Sequence, residues 1–527
     1  MTYNELETTK DQRPTVTIVG SGMCGMLTGL ALDRRGFQVT IIERDVPPPD
    51  CSANEAFFSW QRKGVAQFRH PHAFLGLMCS VLEENYPDLL ERFFEAGARK
   101  VSFEDSIPDH LKPQYNPEPG DEKMWVLMCR RATMETVLRT YVTQTTKVTI
   151  RNQVSVADII TEKNDSQEVF IRGLSLIDHQ ESNKRSELFS DVVIDATGRS
   201  SKFDKWLTSS GVNIKEERDD AEIVYYTRHY RLKDGVSEPP RDAKNPSMGD
   251  LGYMKYGIFP GDGGHFALII CLPNEEKELR KAIKSGEKFD EIGMTIPGLR
   301  PWLSKNKSEA TTAPFGIGNI HAVWRDFTGA GNNRLLNFFA VGDSAIRTNP
   351  LYGRGCSTGA LHAHILADIL STESDPWSRA LRFQEESERK VRPIFQASLN
   401  EDKRGIKRAA AIREGVDLDK ADSLKKWFAL AFGDALMAAS RDKLFIHREV
   451  MKTINLVEKP GEFLKNKKIQ RTVFKYMLRG RKRNAGSRIQ PGLTRPKMLE
   501  FLTELDSKQD LGDQADKSLP RAAASAW

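Results

Sequence analysis

Thr15-Val16-Thr17-Ile18-Val19-Gly20-Ser21-Gly22-Met23-Cys24-Gly25 is the stretch that decides the fold. Its first five residues form a short β-branched run bounded by glycine, the pattern of a buried parallel strand. The glycines then follow with G-x-G-x-x-G spacing. Gly20 allows a tight turn, Gly22 lets backbone approach a pyrophosphate, and Gly25 lets the next helix pack on the strand. That helix, read from Met26 to Arg35 and stopped by Gly36, aims its N-terminal N–H groups at the phosphates. A second strand, Gln38 to Ile42, ends at Glu43, where an acceptor for a ribose hydroxyl belongs. With Met23, Cys24 and Arg44 beside it, this unit predicts a dinucleotide site without saying which dinucleotide.

The remainder of the chain narrows the class. Its 527 residues, 39% hydrophobic and 28% charged, suit a globular protein of two or three lobes. The six cysteines are scattered without a C-x-x-C pair, which points to reduced thiols and a cytoplasmic setting rather than to disulfides or a metal site. Residues 1–13 are polar and mixed in charge, unlike a secretory signal. A net charge of +6 is mild for this length and implies no nucleic acid. The longest apolar stretch, Trp427 to Ala439, is broken by Asp434 and reads as a buried helix.

A second glycine motif lies more than three hundred residues downstream. Leu335 to Val341 reads as another buried strand, with Gly342-Asp343 at its C-terminal end, where ligands of open α/β sheets bind. Asp343 can accept hydrogen bonds from sugar-alcohol hydroxyls. Pro350, Gly353, Arg354 and Gly355 precede a helix whose dipole suits a reduced, anionic ring. A nicotinamide dehydrogenase needs no such second grip, whereas a flavin enzyme does.

On these residues the sequence resembles the FAD-dependent monooxygenases of the p-hydroxybenzoate hydroxylase fold. Their distal signature, G-D-A-A-H, three residues, P, two residues, G-x-G, is similar to Gly342-Asp343-Ser344-Ala345-Ile346 through Pro350 to Gly353-Arg354-Gly355. The resemblance implies flavin contacts at Gly342, Asp343, Pro350, Gly353 and Gly355, a helix-opening Arg131 and an adenine-flanking Val154. Two further segments, Gly64 to His72 and Asp195-Ala196-Thr197-Gly198-Arg199-Ser200-Ser201, resemble the branch of bacterial polyether-type epoxidases, as does Tyr226-Thr227-Arg228 with Tyr230-Arg231. One departure stands out. Thr197 occupies the place before Gly198 where the aromatic hydroxylases of this fold carry aspartate, a residue linked to both FAD and NADPH contacts. Thr197 and Gly198 remain cofactor candidates, and reducing equivalents from NAD(P)H are expected directly or through a separate flavin reductase, the latter preferred because of this departure.

The fold class implied is α/β, a Rossmann-like FAD-binding domain of the GR2 type with an inserted mixed β-sheet substrate domain and a C-terminal helical region. The expected boundaries are 14–205 (with a helical insertion at about 50–125), 206–330 for the inserted sheet, 331–372 for the second part of the FAD domain, 373–510 for the helical region and 511–527 for a disordered tail. The function implied is transfer of one oxygen atom from O2 to an apolar natural-product or lipid-like substrate through a flavin C4a-hydroperoxide, by alkene epoxidation or hydroxylation. His70, His72, Gly353 and Gly355 are the candidate catalytic residues, and Tyr226, Arg228, Phe259, Phe266, Pro314 and Phe315 the candidate substrate lining. The alternatives are a flavin-dependent halogenase, a prenyl-chain reductase of the geranylgeranyl type, and a flavin-free prenyl-lipid carrier on the same fold. Residues 465–483 hold nine Lys/Arg interleaved with apolar residues. They read either as a solvated helix packed on the body or as a peripheral membrane contact.

Overall fold

The computed structural model describes residues 13–328, 334–485 and 492–518. Five parallel strands make the central sheet, in the order Phe338–Ala340, Val192–Asp195, Thr15–Val19, Gln38–Ile42 and Thr149–Arg151. The Thr15–Val19 strand sits in the middle, and its Val16, Thr17, Ile18 and Val19 are all buried, as a strand covered on both faces requires. Helices Met23–Asp33, Arg131–Thr145 and Gly355–Thr372 cover one face through Met26, Leu30, Met134 and Leu366. An antiparallel layer of Val154–Lys163, Val169–Asp178 and Lys184–Phe189 covers the other, packing Val169, Ile171 and Leu174 near Val19 and Val193. The first helix starts at Met23 rather than Met26, because the glycine turn delivers Gly22 directly as its N-cap.

The inserted sheet is antiparallel in every pairing. Strands Met248–Asp250, Lys255–Pro260, His265–Pro273, Ile223–Leu232 and Ser308–Ala310 run side by side, and Phe315–Ile317 also pairs with Ile223–Leu232. Its outer face is covered by helices Gly286–Met294 and Arg300–Leu303 and by Met498 and Leu502 of the final helix, Arg495–Ser518. That helix is latched by Arg495, 2.9 Å from the fully buried Glu276. It extends to Ser518, well into the tail expected to be disordered from 511. Residues 519–527, like 1–12, lie outside the described residues.

The C-terminal region is helical as expected, with helices Pro376–Lys390, Arg392–Arg413, Leu424–Asp442, Leu444–Ile454 and Lys467–Leu478. One of them departs from the sequence reading. The Leu424–Asp442 helix buries alanines and exposes its aromatic residues, so the Trp427 to Ala439 stretch is not a buried helix.

Candidate functional site

The three glycines of the first motif have separate duties. Gly20 has φ +104°, and a Cβ there would sit 2.6 Å from the Ala196 carbonyl oxygen. A Cβ on Gly25 would lie 2.0 Å from the carbonyl oxygen of Gly20. A Cβ on Gly22 would meet nothing within 4 Å. Gly22 therefore faces open space at the start of the Met23–Asp33 helix, where no side chain caps the first turn and no acidic residue repels an anion. Met23 is buried in the core, and the Cys24 thiol packs against Gly342 and donates to the Gly359 carbonyl at 3.3 Å. Burial pushes that thiol up to about 12. Its side chain ties two helices together rather than reaching into the open space.

Glu43 lies under the glycine turn and is buried. The Ser21 backbone N–H and hydroxyl donate to it at 2.9 and 2.6 Å, the Asp45 N–H at 2.9 Å, and Arg62 pairs with it at 3.1 Å. Burial opposes its ionisation, but Arg62 and the Ser21 donors win and hold the carboxyl at about 2. Arg62 also meets Asp45 at 3.3 Å and the fully buried Glu135 at 3.0 Å. Arg131 reaches Glu135 from its other side at 2.6 Å and donates to Cys356 Sγ at 3.4 Å. Arg44, by contrast, is half exposed and only approaches Asp45 at 3.9 Å. Val154 begins the strand beyond Glu43 and donates its N–H to the Glu43 carbonyl at 2.9 Å. Arg62 was not legible as a site residue, because nothing in Gln61-Arg62-Lys63 marks it out from a surface arginine.

The distal motif packs against the start of the first helix. Gly342 has φ +60°, and a Cβ there would lie 3.0 Å from Cys24 Sγ. Among the described residues no hydrogen bond or ion pair is made by the carboxylate of Asp343, which is enclosed yet still reached by solvent. Burial raises its pKa, only partly offset by the charges of Arg347, Arg131 and Arg199. Gly198 and Gly355 flank it, with Cβ positions 3.9 Å from Asp343 Cβ and 3.6 Å from Asp343 Oδ1. Thr197 turns away, since its N–H and hydroxyl both donate to Asp195 Oδ1, at 2.9 and 2.6 Å. Gly198 N–H donates to the Ser344 hydroxyl at 2.8 Å, which fastens the 195–198 turn to the 342–344 turn. Pro350 opens the short turn Pro350–Tyr352, Gly353 follows at φ +66°, and Gly355 starts an 18-residue helix. The Arg354 side chain points into the C-terminal helices, donating to Ser398 at 2.7 Å and Glu401 at 2.9 Å.

Where the segment around His70 meets the inserted sheet lies a small pocket whose wall includes His70, His72, Arg131, His229, Phe57 and Phe259. The two histidines expected from the sequence thus meet the inserted sheet here. His70 Nδ1 is 2.8 Å from the Thr227 hydroxyl, and His72 Nδ1 is 2.8 Å from the His70 carbonyl oxygen. Phe315 stands between His70, at 5.0 Å, and His229, at 6.1 Å and nearly parallel. Phe266 borders the cavity while stacking on Tyr230, and Pro314 precedes Phe315 outside its wall. Tyr226 and Arg228 lie on the opposite face of their strand. Tyr226 packs in the outer core, and Arg228 pairs with Asp290 at 2.7 Å. Strand alternation explains the difference: Thr227 and His229 take the cavity side, so the lining had been read one residue out of phase.

His229 was missed, although its place two residues from Thr227 is a signal that alternation supplies. Its Nε2 is 2.6 Å from the Arg69 carbonyl oxygen, and its buried Nδ1 has no partner among the described residues. Burial pushes His70 down to about 4, and His72 and His229 to about 3, with Arg131 adding to the effect at His72. All three are neutral near pH 7. Unfolded histidines titrate near the ordinary value of about 6.5. These folded values are depressed, so the stability they carry is complete above that pH and is lost as pH falls toward 4. Denaturant unfolding should therefore show each histidine costing about 1.5 kcal/mol between pH 6.5 and 5. A His72→Gln variant should flatten that slope, and an unchanged slope would contradict burial of the neutral ring.

The comparisons with known proteins follow the same outline. Residues 18–93 match a family model described as an NAD(P)-binding Rossmann-like domain. The Mycobacterium tuberculosis protein Rv3254 is 25% identical over 378 residues, which are 68% of this chain and 73% of that one. The structure of the flavin-dependent brominase Bmp2 superposes with a TM-score of 0.55 at 15% identity, covering 89% of this chain and all of that one. PqsL of Pseudomonas aeruginosa, described as a probable FAD-dependent monooxygenase, gives 0.52 at 15% identity over 76% of this chain and 96% of its own. The anhydrotetracycline hydroxylase OxyS of Streptomyces rimosus gives 0.53 at 14% identity over 85% and 76%. The fold, a Rossmann-like dinucleotide domain with added sheets and a C-terminal helical region, is shared with flavin-dependent monooxygenases and halogenases.

Proposed function

We propose that the chain is an FAD-dependent monooxygenase acting on an apolar natural-product or lipid-like substrate, by alkene epoxidation or hydroxylation. The observation that carries this reading is Asp343, a carboxylate without a partner among the described residues, flanked by Gly198 and Gly355. An enclosed charge without a partner is costly and calls for a ligand that donates to it. The residues present fit FAD. Gly20, Gly22, Gly25, Glu43, Arg131 and Val154 would hold its adenosine diphosphate end, and Gly198, Gly342, Asp343, Pro350, Gly353 and Gly355 its flavin end. When bound and reduced, the flavin supplies activation of O2.

The chain's own part is binding, orientation and exclusion of water. Phe57, Phe259 and Phe266 give the pocket apolar surface, His70 and His72 stand in it as neutral rings, and Arg130 and Arg131 complete the wall while paired with Asp262 and Glu135. The unpartnered Nδ1 of His229 offers a hydrogen bond to a polar group of the substrate. Thr197, turned onto Asp195, supports electron supply from NAD(P)H through a separate reductase rather than by direct contact. Halogenation is the second reading, favoured by the fold likeness to a brominase. The W-x-W-x-I-P segment typical of halogenases is absent from the chain, and no lysine lines the cavity.

The test is a visible spectrum of the purified protein, followed by anaerobic NADPH or NADH and then air. Flavin bands that bleach only with an added reductase, and oxygen uptake that an apolar alkene accelerates, are expected. No flavin bands even after FAD is added would overturn the enzyme reading and favour a flavin-free carrier.

A further inference from the structure

The Leu424–Asp442 helix covers its apolar stripe only along its second half. There Ala431, Asp434, Ala435, Ala438 and Ala439 are buried. The first half leaves the same stripe open, with Leu424 at 79% exposure and Phe428 at 56%, together with Trp427 and Phe432. The Lys467–Leu478 helix packs Ile469, Val473 and Tyr476 against those alanines. It too leaves large apolar groups outside, Phe474 at 58% and Leu478 at 72%. With Met437, the two helices leave seven large apolar side chains exposed.

Charge accompanies them. Lys467, Arg471, Phe474, Lys475 and Leu478 are all exposed and recur at helical spacing, so they share one outer face. The helix contains no acidic residue. Lys425 adds a further exposed cation beside Leu424 and Phe428. Among the described residues none of Lys425, Lys467, Arg471 and Lys475 forms an ion pair, whereas nearby Lys426 is matched to Asp422 at 3.1 Å and Arg479 to Asp442 at 3.3 Å.

We propose that the exposed side chains of these two helices dock the protein on an anionic lipid bilayer, with the rings and leucines in the headgroup layer and the unpaired cations against lipid phosphates. No described helix is long and apolar enough to cross a membrane, so the contact is one of lying on the surface. Protruding Trp and Phe beside Lys and Arg are the side chains that such an interface retains. Pairing with a second copy about a two-fold axis would set one basic stripe against another, and nucleic acid would leave the leucines unused.

Sedimentation of the full chain with vesicles of phosphatidylcholine alone, or of equal parts phosphatidylcholine and phosphatidylglycerol, tests this. Binding is expected to the anionic vesicles, falling as salt rises. Trp427→Ser with Phe428→Ser, and separately Arg471→Gln with Lys475→Gln, should each weaken it at least about tenfold. All four residues are exposed, so melting temperatures should stay unchanged. The proposal is overturned by no binding to either vesicle, by equal binding that neither pair of substitutions alters, or by light scattering that shows a dimer which the Trp427→Ser, Phe428→Ser pair dissolves.

Discussion

Replacing Asp343 with asparagine is expected to strip the protein of flavin while making the flavin-free protein more stable. The two effects have one cause. The carboxylate is enclosed, carries a pKa raised by burial, and has no hydrogen-bond partner among the described residues. A ligand hydroxyl donating to it would make a charge-assisted bond of about 1.5–3 kcal/mol, so its loss should weaken FAD binding roughly 10- to 150-fold. Without ligand the ionised group brings only a desolvation cost, and removing its charge should return about 1 kcal/mol. The sign with pH follows. A carboxyl whose folded pKa is raised favours folding while protonated, below its ordinary value near 4 (about 3.9), and penalises it as pH rises through the folded value. The melting temperature of flavin-free Asp343→Asn should therefore exceed that of the parent at pH 8, and the gap should shrink toward pH 4. A variant that melts lower at pH 8 would make Asp343 a structural residue and remove the main support for the flavin site.

What was legible in the sequence was local. The strand Thr15–Val19, the glycine turn, the helix after it and Glu43 lie within thirty residues, and each constrains its neighbours through backbone geometry alone. The distal motif was legible for the same reason, because spacing from Gly342 to Gly355 is a property of one turn and one helix start. Arg62 and His229 were not. Arg62 matters because folding brings Glu43, Asp45 and Glu135 around it, and His229 because Phe57 and Phe315 close on its ring. Neither neighbourhood exists at short range. Tyr226 and Arg228 fall between these cases. Their strand was visible, but its phase depends on which face the helices Gly286–Met294 and Arg495–Ser518 cover. The Leu424–Asp442 helix shows the limit of composition, since an apolar stripe reads as core whether or not a neighbour covers its whole length.

The first glycine motif yields the other large effect, and it separates folding from binding within six residues. Gly25→Ala places a methyl 2.0 Å from the Gly20 carbonyl oxygen and 3.2 Å from Ala196 Cβ. Neither Gly20 backbone nor the Ala196 strand end can yield without moving the helix off the sheet. A cost of about 3 kcal/mol or more is expected, read as a large fall in melting temperature or as insoluble protein. Gly22→Ala should behave oppositely. Its φ of −70° and ψ of 177° are ordinary for alanine, and the new methyl enters open space. The melting temperature of the flavin-free variant should stay within about 0.5 kcal/mol of the parent in stability terms. Yet the methyl would stand where a pyrophosphate must approach the helix N–H groups. Loss of those hydrogen bonds should cost about 2–3 kcal/mol, or roughly 30- to 150-fold in FAD affinity by titration. A Gly22→Ala protein that binds FAD like the parent would mean that the cofactor's phosphates lie elsewhere. Both the Rossmann placement of FAD and the pairing of the two glycine motifs around one ligand would then fail together, whatever Asp343 does.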